Sequence, residues 1–256
     1  MKKVLKKVYQ NFGMMGIDPI MIMQRCRGIP YFLRNFRRYR TMQEGSRFLV
    51  NGKNFYYASY DRFNSAGKAT GHYFWQDLWA ARCLYNKGII DHVDIGSRID
   101  GFITHILPFC RVTYVDYRLV NQLIPNFFGI QASILALPFK SHSIHSLSCL
   151  HVIEHIGLGR YGDSIDPYGY EKAANELVRV LHKNGVLFIG TPVGKEKLCF
   201  DAHRIFDPKT IENIFSTLEL KEFSLVDDRG QLIQNSNFET ARQCDYGCGL
   251  FIFRPK

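Results

Sequence analysis

The sequence has 256 residues, of which 46% are hydrophobic and 22% charged, and its formal net charge is +10. This length accommodates one large domain with an extension, and the hydrophobic content is sufficient for a sizeable core. Apolar runs of the ~20 residues needed for a membrane span are absent from the sequence. The N-terminal segment lacks the features of a secretory signal, so we expect a cytoplasmic protein.

Positive charge is concentrated at the start of the chain. Residues 1–40 hold ten Lys and Arg residues against Asp18 alone, and all six methionines fall within the first 42 residues. A basic, Met-rich extension is typical of a surface that docks on an anionic partner, such as lipid headgroups at the inner face of the membrane, a glycan-assembly protein or RNA. Nucleic acid is the less favoured partner, because residues after 40 are close to neutral overall. A solvated arm that only aids solubility is the alternative.

The predicted elements begin with a hairpin near residues 47–57, where Asn51-Gly52 separates two apolar runs. From there, short apolar strands alternate with helical segments. The strands are predicted at 92–98, 111–117, 129–133, 144–151, 186–192, 220–228 and 249–255. The helices are predicted at 71–88, 99–109, 169–185 and from Asp207 onward.

This alternation predicts an α/β fold with a doubly wound, mainly parallel seven-stranded sheet. We assign the sheet to a domain at 71–256, preceded by an extension at 1–70. The last two strands lack a helix between them and are expected to form an antiparallel edge. In such sheets the ligand lies beyond the carboxyl ends of the strands, at the point where the strand order reverses.

The first predicted strand ends in a glycine-containing turn. Gly96 and Gly101 follow Asp94, and a glycine after a strand lets the backbone approach a ligand closely. Asp116 ends the second strand, where an acid can accept hydrogen bonds from both ribose hydroxyls of a nucleoside. The turn lacks the Gly-x-Gly-x-x-Gly pattern that cradles a pyrophosphate, and its acids Asp94 and Asp100 would repel one. A nucleoside ligand without phosphates therefore fits better.

The chain resembles the class I S-adenosylmethionine-dependent methyltransferases over residues 72–255, through four segments in the expected order: HVDIGSRIDGF, VTYVDY, ALPFKSHSIHSLSCLHVIEHI and NGVLFIGTP. It resembles more narrowly an uncharacterised domain-of-unknown-function family with a methyltransferase-like fold, through GHYFWQDLWAA, HVDIGSRIDGF and EHIGLGRYGDSIDP. Members of that family occur in bacterial surface-polysaccharide gene neighbourhoods and in plants. The resemblance implies a Rossmann-like fold, S-adenosylmethionine as cofactor, and O-methylation of a sugar in a cell-surface polysaccharide, such as O-antigen or capsule, or of its sugar-nucleotide precursor.

The resemblance also implies the cofactor contacts. Residues of the first turn would surround the methionine part, Asp116 would hold the ribose, and the residues after the third and fourth strands would meet the adenine and close over the cofactor. Ser133 stands where an acid is common in the superfamily. The implied set is Asp94, Gly96, Ser97, Arg98, Gly101, Asp116, Tyr117, Ser133, Ile134, Leu150 and His151.

The segment from His151 to His155 matches the H-x-x-E-H pattern of inverted zinc proteases. Such a protease needs both histidines on a sustained helix, whereas Gly157 and Gly159 follow within a turn. We therefore interpret the segment as the lip of the fourth strand. Neutral His155 is suited to act there as general base toward a sugar hydroxyl, with Glu154 as its orienter or alternative.

Two further sets of residues complete the predicted site. His203 is a second candidate base or substrate clamp, and a histidine that only bonds the backbone is the alternative for either position. Contacts to the acceptor are predicted from Asp77 and from the lid-like loop that follows His155, at Arg160, Tyr161 and Asp163. Turn capping within that loop is the alternative.

No resident metal is predicted. A divalent ion held by Glu154, Asp163 or Asp166 and a zinc site at Cys244 and Cys248 are the interpretations that we favour less. The rival functions are an RNA or small-molecule methyltransferase, and a non-catalytic module that docks to a glycan-assembly partner or a membrane.

Overall fold

A computed structural model of the chain describes residues 18–50, 56–58, 62–63, 67, 69–118 and 123–256. The chain divides into two compact units, residues 1–68 and 69–256. Of the hairpin predicted near residues 47–57, residues 51–55, which include the Asn51-Gly52 turn, lie outside the described residues.

The first unit contains helix α1, Pro19–Met42, in a region where the sequence predicts no element. Asp18 caps the helix, because its Oδ1 accepts hydrogen bonds from the backbone nitrogens of Ile20 and Met21 at 2.9 and 3.1 Å. Pro19 suits the first turn, where its missing N–H has no intrahelical partner to lose. In the described part of the chain, helices that combine the length and the apolar character needed to cross a bilayer are not found.

The second unit begins with helix α2, His72–Asn86. Its first half continues with β1 (Asp91–Ile95), a π-helical turn (Ile99–Ile103), α3 (Thr104–Ile106), β2 (Arg111–Asp116), β3 (Phe127–Gln131), β4 (Ile144–Leu150) and a 3-10 turn (Ile153–His155). Its second half contains α4 (Gly169–Val180), β5 (Leu181–Val193), β6 (Lys197–Cys199), β7 (His203–Ile205), α5 (Pro208–Ile214), β8 (Leu218–Val226), β9 (Leu232–Ile233), α6 (Phe238–Arg242) and β10 (Gly247–Pro255).

The main sheet has the strand order β3-β2-β1-β4-β5-β10-β8-β9. The strands from β3 to β5 are parallel, and β10 inserts antiparallel between β5 and β8. The predicted doubly wound, mainly parallel α/β sheet is confirmed. It has eight strands rather than seven, because the two residues of β9 pair with the end of β8.

The helix predicted at 169–185 is shorter in the structure. It ends at Val180, and the chain continues directly into β5, where Leu181 pairs with Ile144 of β4. Gly185 is therefore a strand residue rather than a helix stop. A Cβ added at Gly185 would lie 2.9 Å from the Ile144 carbonyl oxygen, so glycine permits the close approach of the two strands.

Hydrophobic cores cover both faces of the sheet, as expected for parallel strands. Alternate residues of β5 separate between them: Leu187 and Ile189 pack in the core under α4, and Phe188 packs in the core under α2. The packing leaves the carboxyl ends of β1, β2 and β4 as one edge, and the strand order reverses between β1 and β4. This edge is where the candidate site lies.

Candidate active site

A cleft of about 540 Å³ opens beyond the carboxyl ends of β1, β2 and β4. It lies where doubly wound sheets bind their ligands. Nine of the eleven residues implied as cofactor contacts line it: Gly96, Ser97, Arg98, Asp116, Tyr117, Ser133, Ile134, Leu150 and His151.

The turn after β1 requires a glycine at position 96. The backbone of Gly96 has a φ of 68°, in the left-handed region, and its N–H donates to the Val115 carbonyl at 2.9 Å. A Cβ at this position would lie 3.1 Å from a methyl group of Val152. The glycine thus allows the chain to turn sharply at the floor of the cleft.

Asp94 lies outside the lining of the cleft, so its contact with the methionine part of a cofactor stays a prediction. The side chain is fully buried, and its Oδ1 accepts from the Ser97 backbone N–H at 2.9 Å. Its Oδ2 accepts from the Ser97 hydroxyl at 2.6 Å and from the Ser148 hydroxyl. Burial raises the pKa of Asp94 to about 6. Asp94 therefore stabilises the turn after β1 through its hydrogen bonds with Ser97.

Gly101 and Asp77 also lie outside the lining of the cleft, and the roles of Gly101 in cofactor binding and of Asp77 in acceptor binding stay predictions. They contact each other: a Cβ added at Gly101 would lie 2.3 Å from Asp77 Oδ2. Asp77 is buried on α2 and accepts from the Gln76 amide at 3.2 Å, and desolvation raises its pKa. The pair joins α2 to the turn behind the cleft wall.

Asp116 ends β2 and points into the cleft. Arg118 donates to both of its carboxylate oxygens at 3.0 Å, and the Tyr114 hydroxyl lies 3.0 Å from Oδ2. Desolvation raises the pKa of Asp116, but the hydrogen bonds and charge of Arg118 outweigh this effect and hold the pKa below its ordinary value. Asp116 is thus a carboxylate at neutral pH, and a ligand that takes its oxygens has to displace Arg118.

His151 and Glu154 form a buried pair at the end of β4. The Nδ1 of His151 lies 2.7 Å from Glu154 Oε1, and the other Glu154 oxygen accepts from the Thr191 hydroxyl at 3.3 Å. Desolvation raises the pKa of Glu154. The charge and hydrogen bond of the adjacent His151 act in the opposite direction, and with smaller contributions from other groups the pKa is lowered overall. Glu154 is 1% exposed and does not line the cleft, which fits its predicted role as an orienting residue better than the alternative role as a base.

His155 lines the cleft with a defined tautomer. Its Nδ1 lies 2.6 Å from the Ala202 carbonyl oxygen, which can only accept a hydrogen bond. Nδ1 therefore carries the proton, and Nε2 keeps its lone pair. Desolvation lowers the pKa of His155, so the neutral form persists at neutral pH. The three-residue 3-10 turn at Ile153–His155 also excludes the sustained helix of a zinc protease.

The loop after His155 reaches the cleft through Tyr161 and Asp163. Asp163 accepts from the backbone nitrogens of Gly157 and Tyr161 at 2.7 and 3.3 Å, so it also caps the turn. Arg160 lies outside the cleft lining, and its guanidinium donates to the Ala202 carbonyl at 2.8 Å. Of the acceptor contacts predicted in this loop, Tyr161 and Asp163 line the cleft, and Arg160 does not.

His203 lies behind His155 and does not line the cleft, so the structure does not support it as a direct base. Its ring centroid is 6.4 Å from that of His155 and 5.1 Å from that of Tyr246. Desolvation lowers the pKa of His203.

Sequence reasoning overlooked two arginine–tyrosine pairs at the mouth of the cleft. Arg118 lies 4.8 Å over the ring of Tyr161, and Arg98 lies 4.7 Å over the ring of Tyr73. All four residues line the cleft. The position of Arg118, two residues after the strand-ending Asp116, was a usable signal, whereas no local pattern links Tyr73 to Arg98.

The strand order, the antiparallel β10 and the position of the cleft define the class I methyltransferase fold. A methyltransferase of Burkholderia thailandensis that acts on 1,6-didemethyltoxoflavin, solved with that compound and S-adenosylhomocysteine, is similar at a TM-score of 0.53 and 11% identity, over 71% of this chain and 78% of that one. The [4+2]-cyclase SpnF is similar at a TM-score of 0.52 and 12% identity, over 81% and 86%.

Residues 135–245 match a family profile described as a Caenorhabditis protein of unknown function, DUF268. The matched segment begins before β4 and covers the lid-like loop. Curated protein sequences give no match to the chain.

Proposed function

We propose that this protein is an S-adenosylmethionine-dependent methyltransferase that methylates a sugar hydroxyl of a cell-surface polysaccharide or of its nucleotide-linked precursor. The observation that carries the proposal is the arrangement of the cleft. One cavity is lined by the turn at Gly96, where the backbone can approach a ligand closely, by the ionised Asp116 and by His155. The Nε2 of His155 is unprotonated.

The residues of the cleft fit the proposed cofactor. Gly96 brings the backbone to the floor of the cavity, Asp116 offers two acceptor oxygens at the second strand end, and Ser133 and Ile134 line the adjoining wall. When bound, S-adenosylmethionine would supply an electrophilic methyl group.

His155 would accept the acceptor hydroxyl's proton at Nε2. An alcohol is a poor nucleophile, and a base within hydrogen-bond reach supplies part of the driving force for attack. The Ala202 carbonyl fixes the proton on Nδ1, so the ring does not have to change tautomer before it acts.

Two features favour a sugar carrying a phosphate or another acidic group. The rings of Tyr73 and Tyr161 provide apolar faces at the mouth, and Arg98 and Arg118 place two guanidinium groups beside them. The cell-surface setting rests on the resemblance of the motifs. SpnF has a similar fold but is named for a cyclisation. Because one fold can serve different reactions, cofactor binding is tested first and methyl transfer second.

Replacing Asp116 with asparagine is expected to weaken S-adenosylhomocysteine binding about 10- to 100-fold, because hydrogen bonds to a charged group contribute ~1.5–3 kcal/mol. Isothermal titration calorimetry measures the change. The matched control is Asp91→Asn, since Asp91 forms a comparable two-pronged pair with Arg111 at the opposite end of the sheet. Native protein that shows no saturable binding at millimolar ligand would contradict the proposal.

A further inference from the structure

Three potential metal ligands from distant parts of the chain meet behind the cleft. His72 begins α2, His151 follows β4, and Cys248 lies in β10. One donor atom of each side chain lies within 4.8 Å of the donor atoms of the other two. Cys248 is fully buried and His151 is 9% exposed. The mechanism proposed for His155 uses none of these donor atoms, so their arrangement has no role in that mechanism.

The Nε2 of His151 is a buried nitrogen for which the described residues provide no hydrogen-bond partner. Its other ring nitrogen is held by Glu154 at 2.7 Å. A buried polar atom without a partner costs free energy, so its presence requires an explanation. A bound ion at this position would satisfy the atom.

Both histidines have the supporting contacts typical of metal ligands. A ligating imidazole usually donates its second ring N–H to a carboxylate or a backbone carbonyl, which fixes its orientation. His151 has Glu154 in this position, and His72 Nε2 lies 3.1 Å from the Tyr246 carbonyl oxygen. One nitrogen of each ring is thus oriented by an oxygen atom, and the second nitrogen is the one that would bind an ion, with release of its proton where it carries one.

We propose that His72, His151 and Cys248 bind a divalent transition-metal ion of the zinc class. Two imidazoles and a thiolate suit Zn²⁺ and exclude Mg²⁺ or Ca²⁺, which require oxygen ligands. At Zn–N and Zn–S distances of about 2.1 and 2.3 Å the donors lie roughly 3.5 Å apart, so binding draws these side chains together by about 1 Å. The thiol proton of Cys248 is released to solvent as the ion binds.

This site differs from both metal sites weighed from the sequence. Asp163 and Asp166 are engaged with backbone N–H groups and Lys172, and Glu154 supports His151 rather than facing an ion. Cys244 faces the Thr240 carbonyl at 3.9 Å and takes no part. His151 also lines the cleft, so the proposed ion site adjoins the cavity.

The test is a Zn²⁺ titration of tag-free, full-length protein after chelator treatment, followed by mass-spectrometric metal counting. Cys248→Ser is the principal variant, and His72→Ala is the second. Cys244→Ser is the matched control, because Cys244 is a buried thiol four residues away. Co²⁺ provides a second readout, since a cobalt–thiolate bond gives a near-ultraviolet charge-transfer band.

The expected result is one Zn²⁺ per native chain and per Cys244→Ser chain, with at least 100-fold weaker binding in Cys248→Ser and His72→Ala. The Co²⁺ charge-transfer band is expected in the control and not in Cys248→Ser. Folding of each variant is checked by circular dichroism, and Cys248→Ser alone decides the matter if His72→Ala does not fold. Unchanged Zn²⁺ affinity in Cys248→Ser, or no binding to native protein, would overturn the proposal.

Helix α1 supports a second, independent inference. It presents an apolar stripe at a 4-3-4 spacing: Ile22, Cys26, Ile29 and Leu33. All four are exposed, Ile22 at 54%. Gly28 is the one residue of the helix that is buried. An exposed stripe of this length requires a covering partner.

The charge of α1 favours an anionic partner over a second copy of the helix. Residues 19–42 contain six arginines and no acidic residue: Arg25, Arg27, Arg34, Arg37, Arg38 and Arg40. A second copy of the helix would bring these like charges together and be repelled. We infer that α1 lies in the plane of an anionic bilayer, with the stripe among the acyl chains and the arginines at the headgroups.

Vesicle co-sedimentation of the full chain tests this inference. Native protein is expected to bind phosphatidylglycerol-containing vesicles at least 10-fold more tightly than pure phosphatidylcholine vesicles. The triple variant Ile22→Ser, Ile29→Ser and Leu33→Ser should lose that binding, whereas Ile90→Ser, which removes an isoleucine 65% exposed in the second unit, should not. Unchanged binding of the triple variant, or a dimer or RNA complex that the substitutions abolish without any vesicle binding, would overturn the inference.

Discussion

His155→Ala is expected to lower methyl transfer about 10²- to 10⁴-fold while leaving the affinity for S-adenosylhomocysteine unchanged. The expectation follows from the position of the side chain. Its Nε2 is unprotonated and its ring lines the cleft, whereas Glu154 and His203 lie behind it. The measurement is label transfer from radioactive S-adenosylmethionine to a panel of nucleotide sugars, with binding followed by calorimetry.

The control for this experiment is His145→Ala, because His145 lies near the start of β4, whereas the 3-10 turn that carries His155 follows the other end of that strand. A variant that retains native turnover would remove His155 as the base. The pH profile gives a separate readout. Because desolvation lowers the pKa of His155, the base remains available below pH 6.5, and the rate falls only as the pH drops through that lowered pKa. A conservative His155→Gln variant is expected to lack this acid limb.

Asp94→Ala is expected to lower the free energy of unfolding by about 3 kcal/mol, because it leaves buried donors without an acceptor. The Ser97 N–H, the Ser97 hydroxyl and the Ser148 hydroxyl all depend on this carboxylate. Urea unfolding monitored by circular dichroism measures the loss. Asp100→Ala removes an exposed acid of the same turn and is expected to change stability by less than ~0.5 kcal/mol.

The stability difference between native protein and Asp94→Ala is also expected to depend on pH. The folded-state pKa of Asp94, about 6, lies above the ordinary value of 3.8. The unfolded chain therefore ionises first as the pH rises, and the native protein loses stability between about pH 4 and 6. The alanine variant lacks this loss, so the difference should narrow over that range and stay constant above it. If the difference in unfolding free energy between the two proteins widens from pH 4 to 6, the raised pKa of Asp94 is contradicted.

Much of the fold could be predicted from local patterns. Apolar strands that alternate with helices predicted the doubly wound sheet, and Asp207 followed by Pro208 predicted the start of α5, which the Asp207–Lys209 hydrogen bond confirms. The boundary at Val180 could not be predicted, because the helical periodicity runs on past it. Pairing of Leu181 with Ile144 of β4 ends the helix there, and that partner is distant in the sequence.

The sequence alone predicted the alternation of strands and helices in the second unit and the acids Asp94 and Asp116 at or near the ends of the first two strands, because both depend on residues close together in the chain. Tertiary structure decided what those residues do. Asp94 is buried because Ser148 on the neighbouring strand takes its second oxygen. The tautomer of His155, the proposed base, is selected by the carbonyl of Ala202, which is forty-seven residues away. The metal-ligand set joins positions 72, 151 and 248, which only the fold brings together.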